Sequence, residues 1–175
     1  ARGGRALGAL VDELAAATIG ATFNQYRRSP LRRGRLARYL EERSAASIVL
    51  VGEAAGYRGA RVSGIPFTSE RQLTGTGPAE ASATIVHRVL AELGFENDVL
   101  LWNVVPTHPG TVCSNRAPTR AEIVQSRRFL EILLQRSKCS RSMRGDLCAA
   151  WSIRRQEDAS KRDVRPSGPT IQRVD

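Results

Sequence analysis

Three places in this chain combine residue types that can handle a flat ring or an anion. Gly52-Glu53-Ala54-Ala55-Gly56-Tyr57-Arg58-Gly59 follows an apolar run and joins a carboxylate to glycines that permit a sharp turn. Backbone N–H groups in such a turn can meet an anion or a base carbonyl. Asn103 closes the run Asp98-Val99-Leu100-Leu101-Trp102, and its carboxamide both donates and accepts, which suits the edge of a nucleobase. Phe67, after Pro66, offers a face on which a base can stack. Each also has a plainer reading: a tight turn, a cap for the next turn, and a core side chain. The glycine loop fits neither G-x-G-x-x-G nor a P-loop, so a nucleotide-cofactor reading is weak. His87 falls inside a helical pattern and reads as structural, whereas His108, in Thr107-His108-Pro109, either lines a site or is inert.

These residues need elements to hold them. Ser47 to Gly52 and Asp98 to Asn103 are short apolar runs of the kind that form buried strands. Leu7, Leu10, Val11 and Leu14 have helical spacing, as do Val86, Val89, Leu90 and Leu93 ahead of Gly94, a C′ glycine. Leu36, Tyr39 and Leu40 predict a second short helix inside an Arg-dense connection. Thr119-Arg120-Ala121-Glu122 is a capping box opening a helix with Ile123, Leu130, Leu133 and Leu134 on its apolar face. Alternating strands and helices imply a parallel sheet with helices packed on it. Ligands then bind at the carboxyl ends of the strands, where both candidate loops lie.

With 175 residues the chain suits one domain, and 41% hydrophobic content excludes a wholly disordered chain. No apolar run reaches the roughly 18–20 residues of a membrane span, so no membrane partner is expected. Cys113, Cys139 and Cys148 are too few and irregular for a disulfide framework, which favours a reducing, cytoplasmic setting. Residues 1–14 lack the apolar core of a signal peptide, and the missing initiator Met suggests an incomplete or processed N-terminus. The net charge of +10 divides unevenly: residues 1–134 hold 17 Arg against 12 acids, and residues 135–175 hold 10 basic residues against 5 acids. Lys occurs only in that last piece, as Lys138 and Lys161. The composition thus separates a patterned domain, 1–134, from an atypical basic tail, 135–175. The arginines from Arg27 to Arg43 form either a solvated face or a phosphate-contacting one.

In combination the motifs say more. VGEAAGYRGARVSGIPFTSE at 51–70, LLWNVVPTHPG at 100–110 and SNRAPTRAEI at 114–123 together resemble the uracil-DNA glycosylase superfamily. The likeness is closest to the branch containing iron–sulfur members and covers roughly residues 23–134. It implies an α/β fold, a three-layer α/β/α sandwich with a short central parallel sheet, acting in base excision repair. The expected reaction is hydrolysis of the N-glycosidic bond of uracil in DNA after base flipping, by a monomer needing no cofactor. By position, Glu53 would activate or position the attacking water, Phe67 would stack on uracil, and Asn103 would read its Watson–Crick edge. Gly52, Ala54, Gly56 and Tyr57 would shape the pocket around base and sugar.

Departures from the pattern shape a second expectation. Ala55 replaces the usual Pro of the first motif, and Thr107 and Ser126 lie in regions where the iron–sulfur branch has cysteines, so no cluster is expected. The family's later H-P-S motif has no counterpart, since no His follows His108 and the nearest string is Arg165-Pro166-Ser167. The segment after Leu134 also lacks the further apolar strand that the family would place there. A reading-frame shift near residue 135 accounts for both losses, and a divergent DNA-binding tail is the other explanation. Hence the rival to an active glycosylase is a catalytically impaired or non-catalytic DNA-binding relative.

Overall fold

The computed structural model describes residues 2–136. Six helices and two strands follow in order: α1 (Arg2–Ala16), α2 (Pro30–Glu42), β1 (Ile48–Ala54), α3 (Ala60–Ser63), α4 (Glu70–Thr74), α5 (Ala81–Glu92), β2 (Val99–Val105) and α6 (Arg120–Arg136). The strands pair in parallel, with Val49 opposite Leu100 and Gly52 opposite Asn103. The expectation for residues 135–175 lies, from residue 137 onward, outside the described residues.

Helices cover both faces of the sheet, giving the α/β/α arrangement with a short parallel centre. Side-chain alternation along β2 divides the core. Leu100 and Trp102 join Val49, Leu10 and Leu14 of α1, Leu36 and Leu40 of α2, and Phe129 and Leu133 of α6. Val99 and Leu101 point the other way, onto Val86 of α5. A two-stranded sheet is marginal by itself, so these helices hold it. The strands differ, because β2 is buried almost throughout whereas β1 is mostly half-exposed.

Local chemistry explains the boundaries. Ser29 caps α2 by accepting from the Arg32 N–H, and Pro30 takes a first-turn position where its missing N–H costs nothing. This helix begins well before the Leu36 stripe that announced it. Gly94 adopts φ 71° after α5, and its N–H reaches Ala91 O while Phe95 N–H reaches Leu90 O, the reciprocal pair of a Schellman ending. The Thr119–Glu122 capping box forms as expected: Glu122 N–H donates to Thr119 Oγ1 at 3.2 Å, and Thr119 N–H to Glu122 Oε2 at 2.8 Å.

Four expectations need correction. Both strands run two residues further than the apolar runs suggested, so Gly52, Glu53 and Asn103 lie within strands. Only Val86 of the α5 stripe is buried, while Val89 and Leu93 are exposed at 41% and 61%. On α6 the buried face is Glu122, Ser126, Phe129 and Leu133, with Ile123 exposed. The connection from 55 to 80 is not plain loop, since it folds α3 and α4 on glycine stops, Gly64 and Gly75, both at positive φ.

Candidate base-binding site

The carboxyl ends of β1 and β2 open into a cavity of about 570 Å³. Gly52, Glu53, Ala54, Gly56, Tyr57, Phe67 and Asn103 all line it, so every site residue expected from the sequence reaches one space. Register accounts for the inner wall: Gly52 and Asn103 are direct partners across the ladder. The Phe67 ring lies against Gly52, where an added Cβ would collide with Cζ and stand 3.0 Å from Asn103 Oδ1. Glycine is therefore needed at 52 for room. Phe67 itself has φ 51°, the sole positive value among described non-glycine residues. Such a backbone costs about 1–3 kcal/mol and persists only where surroundings enforce it.

Asn103 is 4% exposed, yet among the described residues its carboxamide takes part in no hydrogen bond. Its amide atoms open onto the cavity, where they can meet the donor and acceptor groups of a ligand. Glu53, by contrast, is exposed at the cavity's edge.

Around this wall, polar groups are committed to holding loops. Asn115 Oδ1 accepts the Tyr57 N–H at 2.9 Å, tying the 114–118 segment to the loop after β1. Arg116 forms a two-armed pair with Glu122 at 2.6 and 2.8 Å. Its guanidinium, with help from the Thr119 N–H, holds the buried Glu122 carboxyl down at about 2. His108 is wholly buried, with Nδ1 and Nε2 each 2.7 Å from a carbonyl oxygen, of Ala55 and Thr111. Hence it braces two cavity loops from behind instead of lining the cavity. Half-buried His87 lies 3.3 Å from Thr68 Oγ1, and burial lowers its pKa.

The arginine run is largely spent inside the protein. Arg27 donates to Ala17 O and Arg32 to Val62 O, both at 2.8 Å. Arg35 grips Glu70 with both arms, and Arg43 reaches Asn97. A phosphate-contacting face across residues 27–43 is therefore reduced to what those bonds leave free. Glu80, Asn115 and Arg116 also line the cavity and were not singled out from sequence. The last two lie in the 114–123 motif, but nothing in local pattern marks Glu80.

A cavity at the carboxyl end of a parallel sheet, with a stacking ring beside an unpaired carboxamide, defines a site suited to a planar heterocycle. Residues 40–142 match the uracil DNA glycosylase superfamily, and the chain belongs to that superfamily. No individual curated protein matches it. No described helix is long and apolar enough to cross a membrane.

Proposed function

We propose that the chain turns uracil out of DNA into this cavity and hydrolyses its N-glycosidic bond. The observation that carries the reading is the Asn103 carboxamide, nearly buried and unpaired beside the Phe67 ring. Held in one orientation, it accepts from uracil N3–H and donates to O4, an order that cytosine reverses. Phe67 stacks on the base, and Gly52 leaves room for the ring. Glu53 positions the attacking water: the water oxygen bonds to C1′, the C1′–N1 bond breaks with its electron pair on uracil, and the water's proton passes to the carboxylate. A negative charge there also favours the oxocarbenium character of the sugar. Unstacking the base costs a few kcal/mol, least at a mismatch.

Within the superfamily we place the chain nearest the iron–sulfur branch, by motif order, but its residues do not suit a cluster. Thr107 spends its hydroxyl on Thr22, 2.6 Å away, and Ser126 is a buried hydroxyl, whereas such clusters are held by thiolates. A second reading, a DNA-binding relative without turnover, is favoured by one feature: no His follows His108 within these 175 residues, whereas the His of an H-P-S motif would donate to the leaving uracil.

Alkali-induced scission of a uracil-containing oligonucleotide after incubation with the full chain separates the two. Turnover predicts scission at uracil that Asn103→Ala and Glu53→Gln both strongly reduce. Salt-sensitive binding indifferent to uracil, with no abasic product, supports the second reading.

A further inference from the structure

We infer that Glu80 is a positioning residue for the loop after β1, bracing it by filling the volume that Gly56 and Gly59 leave open. Glu80 is the N-cap residue of α5, but its side chain makes no capping bond. The carboxylate lies against the loop instead. A Cβ added to Gly56 would collide with Glu80 Oε1, and one added to Gly59 with Oε2. One oxygen therefore sits in the missing side-chain volume of each glycine. Neither glycine has a positive φ, so these positions demand room rather than left-handed backbone.

Other residues grip the same loop elsewhere. Asn115 takes the Tyr57 N–H, and the His108 ring lies on Ala55 O. Within the loop, Gly56 O accepts from Gly59 N–H at 3.2 Å and Arg61 N–H at 3.1 Å. Glu80 meets this turn from the α5 side and couples the start of that helix to the segment directly following Glu53. A loop so held keeps Glu53 and the cavity amides in one geometry, and misplacement by about 1 Å can cost a reaction up to about a hundredfold.

The test uses the full chain. The carboxylate is the far end of a flexible side chain, so Gly59→Ala should displace it, and a thermal melt first establishes that each variant is folded. Without DNA, hydrogen exchange at the Tyr57, Gly59 and Arg61 amides should quicken about tenfold in Glu80→Ala and Gly59→Ala. The double variant should be no worse than either single one, since both remove one contact. The activity arm rests on the glycosylase reading: kcat for uracil release falls about tenfold in Glu80→Ala, with KM changed less than about twofold. Unchanged exchange in Glu80→Ala overturns the brace, as does a double variant clearly worse than either single one. Quickened exchange in the variants of a chain that releases no uracil upholds the brace and removes the glycosylase reading.

Discussion

The junction of α1 with α2 and the carboxyl end of the sheet each place an asparagine carboxamide, and they use it in opposite ways. Asn24 donates to Leu14 O at 2.8 Å and Ala17 O at 2.9 Å, and its Oδ1 accepts the Tyr26 N–H at 3.0 Å. It ends one helix and turns the chain toward the next. Asn103, more deeply buried, does none of this. Asn24 is saturated by bonds within the fold, whereas the Asn103 amide makes none among the described residues and opens onto the cavity.

The largest effect should come from breaking the ligand side of this contrast. Asn103→Ala is expected to lower kcat/KM for uracil release about 100- to 1,000-fold, the usual loss for one preorganised donor. Its thermal midpoint should hardly move, because no bond inside the protein is lost. The mirror-image variant, Asn24→Ala, should cost about 2–3 kcal/mol in chemical denaturation by leaving helix-end carbonyls unmet. Its activity per folded molecule should be retained. A loss of stability in Asn103→Ala as large as that in Asn24→Ala would erase the distinction.

A smaller effect sharpens the account of the loops. Arg116→Ala should destabilise by about 2 kcal/mol, since Glu122 keeps the Thr119 N–H but loses its cation. The folded pKa of Glu122 lies below its unfolded value. Its contribution is therefore fully present above the usual carboxylate range and lost as pH falls from 4.5 toward about 2. Stability measured across that window should fall less steeply in Arg116→Ala than in wild type. The smallest effect belongs to Ser126→Ala. Ser126 Oγ is buried with no partner, so removing it should leave stability unchanged or raise it by up to about 1 kcal/mol.

The same contrast explains what could be read beforehand. Periodicity exposed α1, α5, both strands and the Thr119 capping box, because these depend on neighbours close in sequence. Superfamily motifs gathered Glu53, Phe67 and Asn103 into one site before any contact was visible. Glu80 stayed hidden because its role depends on two glycines more than twenty residues away, meeting it only in the folded chain. The arginines show the same limit: composition counts their charge but not the carbonyls and carboxylates, such as Val62 O and Glu70, that several of them also bond.

The most direct test of the central claim compares the affinity of the full chain for duplexes differing only by uracil or cytosine at one mismatched position. A carboxamide reading the base edge predicts at least tenfold tighter binding of the uracil duplex, on the scale of one hydrogen-bonded base contact, and loss of that preference in Asn103→Ala. Equal affinity for the two duplexes, or a preference that survives Asn103→Ala, would contradict it.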